Sequence, residues 1–428
     1  MKKITALLLS LIMLLALTAC GGSEKETSSG TSAPGDNTGK ESSAETKADE
    51  EWQIVKDEYS DLTMDELYEK AKAEGGVVRI YATTADANTA ARKFVKDFPD
   101  IQVEYISQDT DQVSTKIEME AQSGNVNADV LMVKDNTGEI YHNMVLGGML
   151  SLYYPTVVCE HIDKQLLRYG LPLYATFNPW YYNTEKYPDG CPIKSWWDIV
   201  EGYDVTTGKF TDQKWTIYTK DITGPSYTAL WTQLIIDGDK VAEQYEKQYG
   251  EPLVYTYNDK LVNVPGILEL PENNGGVELF YRFSQMSMTE LADGDAVVQA
   301  VDESLNGPTL GLTSASKLSN KLNAAWVTGL EPYTAFQACC YTYIVNGCDN
   351  PAAARLFVLY CMSGAEGETG CYMSFDKKGS WSVRDDIQYT KNDKTKEEVN
   401  LTAPDFEEIY MQCTYVQAYW TKWHADAK

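Results

Sequence analysis

Polar residues close several apolar runs in this chain, at places where hydroxyl, carboxylate and amide groups can meet a ligand. Thr83 and Thr84 follow Val77–Tyr81, Asp109 comes after Ile101–Ile106, and Asp135 and Asn136 follow Ala128–Val133. Ser226 and Tyr227 come after Gly224-Pro225, and Thr313 and Ser314 end the run from Pro308. A hydroxyl beside the free N–H groups of a helix start suits a carboxylate, a phosphate or a neutral polar group. Asp135 and Asn136 suit an ammonium, a hydroxyl or a metal. Each of these residues also has a purely local use, as a helix cap or turn former. Trp180 and Tyr182 are two apart on an extended run, so their rings share one side. Such a face can stack a sugar, hold a cation or pack a hinge.

Catalytic chemistry finds little support. The chain has no Gly-x-Ser-x-Gly, no His-Glu-x-x-His and no Gly-Lys-Ser phosphate loop. With 63 acidic residues, some carboxylate pair will always imitate a glycosidase dyad, so that signal carries almost no information. Histidine occurs only at His142, His161 and His424, and no two cysteines have Cys-x-x-Cys spacing. Cys159, Cys191, Cys339, Cys340, Cys348, Cys361, Cys371 and Cys413 are scattered. Exported cysteines can pair, and connectivity is not legible in the spacing.

The elements that must position the polar residues alternate strand and helix. Val77–Tyr81, Ile101–Ile106 and Ala128–Val133 read as strands. Ala87, Ala90, Ala91, Phe94, Val95 and Phe98 recur at helical spacing between the first two, and Gln112–Ser123 reads as the next helix. This predicts an α/β fold with parallel strands, whose ligands sit beyond the strands' carboxyl ends. Thr63-Met64-Asp65-Glu66 is a capping box that opens the fold. A helix is expected over Thr137–Leu146. Strands are expected in the aromatic stretch from Leu173 to Thr184, with Ser195 capping a short helix. Residues 239–275 read as irregular, Asn350 as a helix cap, and Phe406–Trp423 as an aromatic helix over the second lobe.

The first residues point to export. Lys2 and Lys3 precede an apolar run from Ile4 to Leu17, too short to span a membrane comfortably, and Leu17-Thr18-Ala19-Cys20-Gly21 follows. Small residues before a cysteine here resemble a bacterial lipoprotein signal, which implies a lipid on Cys20. Residues 21–50 are almost free of apolar side chains and read as a disordered tether. A formal net charge of −27 argues against nucleic-acid binding, which needs a basic footprint.

Five pieces in order resemble one family. They are Glu74-Gly75-Gly76-Val77-Val78-Arg79-Ile80-Tyr81, Phe98-Pro99-Asp100-Ile101, Asn127-Ala128-Asp129-Val130, Tyr182-Asn183-Thr184 with Ser195-Trp196-Trp197-Asp198, and Asn350-Pro351 through Phe357. Together they resemble the extracellular solute-binding proteins of ABC importers, in the ferric-ion and polyamine-like branch. The resemblance implies a two-lobed type II periplasmic-binding-protein fold with a central cleft and hinge crossings. It places a signal at 1–19 and a tether at 20–57. Lobe one would span 58–177 plus about 325–375, and lobe two 178–324 plus about 376–428.

The implied function is capture of a small solute by hinge closure and delivery to an ABC permease. The implied protein is a lipid-anchored, monomeric, non-enzymatic one at the outer face of the cytoplasmic membrane. A surface carbohydrate-active hydrolase and a ligand-sensing lipoprotein are the rival readings. Polyamine, sugar and sugar phosphate remain open as ligands, because acidity, aromatics and threonines at helix starts point in different directions. Ferric members use adjacent lobe-two tyrosines. Here Tyr181-Tyr182 falls too early, Tyr153-Tyr154 belongs to lobe one, and Phe280-Tyr281-Arg282-Phe283 stands in the expected region. Iron ligation is therefore not carried over, hard-oxygen metal binding stays open without assigned ligands, and no cofactor is expected.

Overall fold

The computed structural model describes residues 52–202, 214–261, 269–365 and 367–427. The signal at 1–19, Cys20 and most of the 20–57 tether lie outside the described residues. The chain first lays down β1 (Val77–Ala82), β2 (Gln102–Ser107), β3 (Val130–Val133), β4 (Leu150–Ser151) and β5 (Leu171–Thr176). It continues through β6 (Trp180–Asn183), β7 (Thr216–Thr219), β8 (Met288–Glu290), β9 (Thr309–Leu312) and β10 (Ala324–Trp326). It then forms β11 (Ala335–Phe336), β12 (Ala338–Val345) and β13 (Leu401–Thr402).

One sheet runs β2-β1-β3-β12-β4, with β5 also paired to β12. β1 is parallel to β2 and β3, while β12 is antiparallel to β3, β4 and β5. The second sheet runs β10-β6-β9-β7-β8, and β11 pairs with β13 alone. Central strands covered on both faces need continuous apolar runs. β3 and β12 have them, with every residue buried. β2, on the edge, has only partly buried residues alternating with exposed ones over most of its length.

Helix ends follow local rules with tertiary amendments. Thr63 and Glu66 form the expected capping box. Gly76 adopts φ +67, and a Cβ there would sit 2.6 Å from Asp100 O, so the turn into β1 needs glycine. Asn350 precedes the helix Pro351–Met362, but its amide turns to Asp129 instead of capping. Glu74 caps that helix from a distance, accepting from Ala352 N at 2.9 Å. Ser195 likewise does not cap: its hydroxyl donates to Gln248 Oε1 at 2.6 Å, and the short helix begins at Trp197.

Other boundaries differ from expectation. The helix expected over Thr137–Leu146 is a π-helix, Ile140–Val145. Residues 239–275 are not wholly irregular, since Gly238–Tyr249 is helical, and 262–268 lie outside the described residues. The segment after 376 returns to the first sheet: Trp381 bridges Ala175, and Arg384 bridges Ile162.

The C-terminal helix Phe406–Ala427 spans both sheets' territories. Its far half packs Trp420 and Trp423 on Phe280, and Gln417 Nε2 donates to Thr223 O at 2.8 Å. Its first turns dock beside the first sheet. Tyr410 OH donates to Asn143 Oδ1 at 2.6 Å, its ring stacks on His142 at 4.2 Å, and Arg168 meets Glu407 at 3.2 Å. Gly138, at φ +75, lets Phe406 approach, since a Cβ there would lie 3.1 Å from Phe406 O.

Candidate functional site

The carboxyl ends of β1 and β3 form one lip. Thr83 N–H donates to Met132 O at 3.0 Å, which holds the two strand ends together. Thr84 sets the entry to the helix Asp86–Asp97, its Oγ1 accepting from Asp86 N at 3.3 Å. Tyr105 OH reaches Thr84 O at 3.4 Å. Asp86 accepts from Tyr174 OH at 2.8 Å and pairs closely with Lys377. Lys134 lies 5.9 Å above the Tyr174 ring.

Asp135 and Asn136 continue from β3. Asp135 is 4% exposed, and its carboxylate accepts from Tyr141 N–H at 3.1 Å. Burial pushes its pKa up to about 7 against those backbone donors, and the Glu139 carboxylate adds to the rise. Asn136 is 7% exposed, and its Nδ2 donates to Ser226 Oγ at 2.8 Å. Its Oδ1 is buried without a hydrogen-bond partner.

Ser226 belongs to the other lip, in the first turn of Pro225–Ile236. Gly224 enters this helix extended, and Pro225 fits its first position. Gly224 O accepts from both Tyr227 N and Thr228 N at 3.0 Å. The hydrogen bond from Asn136 therefore joins an end of the first sheet to a helix of the second sheet's layer.

The remaining predicted site residues separate from this junction. Trp180 is fully buried, edge-on to Trp196 and Phe283, an arrangement that matches the packing alternative of its sequence reading. Tyr182 is partly buried, edge-on to Tyr187. Tyr227 OH is spent on Leu312 O at 3.3 Å, and burial raises its pKa to about 12. Thr313 is 2% exposed beneath Gly294, while Ser314 Oγ meets Ser316 Oγ at 3.0 Å. Asp109 is exposed and makes no side-chain cap. Sequence reasoning read Lys134 only as part of the loop Lys134–Asn136 and did not single out Asp86, Tyr174 or Lys377, the last of which reaches the lip only through the tertiary fold.

Among the described residues, one group of three His, Cys, Asp or Glu side chains is close enough to share an ion: His161, Asp385 and Asp386. His161 faces Asp385 with Nδ1 at 3.0 Å and Asp386 with Nε2 at 3.7 Å, while Arg384 occupies Asp386 at 2.6 Å. A histidine split between two carboxylates, one of them already holding arginine, is an ion-pair arrangement. All eight described cysteines are free thiols.

Residues 89–403 match the model of the bacterial extracellular solute-binding protein family. The chain belongs to that family. No curated protein sequence is a significant match. Its fold is similar to that of apo ferric ion-binding protein A of Pasteurella haemolytica, at TM-score 0.57 and 12% identity over 82% of this chain and 98% of that one. It is also similar to iron-bound HitA of Pseudomonas aeruginosa, at 0.54 and 14% over 81% and 99%. AfuA of Actinobacillus pleuropneumoniae, solved with fructose-6-phosphate, gives 0.53 and 16% over 82% and 98%. The fold is thus that of the two-lobed, type II periplasmic binding proteins. Among the described residues of this solute-binding protein, no helix is long and apolar enough to cross a membrane.

Proposed function

We propose that this solute-binding protein is a lipid-anchored receptor that captures a small solute by hinge closure and hands it to an ABC permease. The reading is supported by the family and by one observation above all. Asn136 and Ser226, from opposite lips, meet at 2.8 Å, and Asn136 keeps a buried acceptor without a partner. A buried polar atom left unpaired costs free energy that a ligand donor recovers. A ligand gripping both lips stabilises the closed arrangement by its differential contact energy. The proposed lobes are 58–177 with about 325–375, and 178–324 with about 376–428, where Trp381 and Arg384 bridge back to Ala175 and Ile162 and the helix Phe406–Ala427 touches both.

A thermal-shift screen across polyamines, sugars, sugar phosphates, amino acids and ferric ion tests the reading. A true ligand raises the melting temperature with its concentration. The double variant Thr84→Ala/Ser226→Ala should stay folded and lose most of that rise. An unchanged rise would exclude this placement of the site, and turnover of a bound carbohydrate would favour the hydrolase reading.

A further inference from the structure

Resting on the proposed capture of a solute between the two lips, we infer that the solute is a hydroxylated organic anion, a sugar phosphate or sugar acid. Ferric ion and polyamines are thereby excluded. The chain carries a formal net charge of −27, yet two lysines, Lys134 and Lys377, stand at this lip. Lys377 is matched by Asp86. Lys134 is partly buried above Tyr174, and no ion pair joins it to a carboxylate among the described residues. Both Lys134 and Asp86 act on the buried Cys340 thiol, so the two lysines share a neighbourhood with one carboxylate. Among Lys134, Lys377 and Asp86 one positive charge, that of Lys134, is left without a carboxylate partner where water is partly excluded. Glu139 faces Asp135 and Asp111 instead, and a bound anion satisfies Lys134.

The second lip has the same polarity. Ser226 stands in the first turn of the 12-residue helix Pro225–Ile236, whose macrodipole presents its positive end there. Ser226 Oγ accepts from Asn136 Nδ2, so its own O–H remains available to donate to a ligand oxygen. Asn136 Oδ1, buried and unpartnered, requires a donor, which a hydroxyl of the solute supplies and a fully deprotonated anion such as sulfate does not. Asp135, the nearest carboxylate in sequence, is turned away into the Tyr141 backbone and takes no part in balancing Lys134.

The test is isothermal titration of the full folded protein with fructose-6-phosphate, glucuronate, glucose, spermidine and ferric citrate, repeated with Lys134→Gln and Ser226→Ala. A phosphorylated or carboxylated sugar should bind. Its affinity should fall at least about tenfold in Lys134→Gln, the scale of one charge-assisted hydrogen bond, and should weaken with added salt. The phosphate and carboxylate arms identify which anionic group is held. Binding of spermidine, glucose or iron in preference overturns the inference but leaves solute capture standing. Anion binding that is unchanged in Lys134→Gln overturns it equally. If Lys134→Gln does not fold, the Ser226→Ala and salt arms decide by the same criteria. Silence in every arm counts against the inference and, when the wider thermal screen is silent too, against solute capture itself.

Discussion

At the residue scale, the site is a set of polar groups left over once local structure is satisfied. Thr84 caps a helix, Tyr227 is tied to Leu312 O, and Asp135 is tied to the Tyr141 backbone. Asn136 and Ser226 retain unused hydrogen-bonding capacity. Asp135 gives a pH prediction. Its ordinary value of 3.8 rises to about 7 through burial, so between those values the folded state binds the proton and the unfolded state releases it. Its stabilising contribution is complete below pH 3.8 and is lost as pH rises toward 7. At about 1.4 kcal/mol per unit, the loss amounts to a few kcal/mol. Urea unfolding at pH 4.5 and 8 should therefore show a smaller drop in Asp135→Asn than in the wild type, and equal drops would refute the assignment. Asn136 was put forward from a strand end and Ser226 from a helix start, and the hydrogen bond between them brings the two candidates together. A period of two fixes which side chains share a face but does not reveal that Trp196 and Phe283 cover Trp180.

At the element scale, alternation of short strands and helices was readable because each half-buried or buried run announces its own period. β1, β2, β3 and the crossovers between them follow it closely. What was not readable depends on contacts distant in sequence. Glu74 caps a helix that starts at Pro351, and Trp381 returns to Ala175 after the chain has left the first sheet. The C-terminal helix is the clearest case. Its aromatic periodicity predicted packing on lobe two, and Trp420 and Trp423 do pack there. Its first turns, however, dock on His142 and Asn143 near the other lip. The helix thus braces the same junction that Asn136 and Ser226 close. Tyr410→Phe removes the bond to Asn143 and should cost about 1 kcal/mol. It should also raise amide exchange in Ile140–Val145 while sparing β12. Exchange unchanged in that π-helix would mean the brace carries no load.

At the scale of the whole molecule, two sheets joined by a few crossings are the architecture on which the proposed hinge closure rests. Net charge argues against nucleic-acid binding, and under the proposed anion reading it does not report the charge of the lip. The proposed anchor is tested at this scale. Cys20→Ser should release the protein from membranes into the medium with its thermal stability unchanged, since the anchor precedes the described fold. Retention on the membrane would remove the lipoprotein reading. The central claim, capture of a solute by both lips at once, is tested most directly by titrating the stabilising solute into wild type, Asn136→Ala and Ser226→Ala. The account predicts that each single variant, one per lobe, binds about tenfold more weakly while remaining folded. Wild-type affinity in both variants would contradict it.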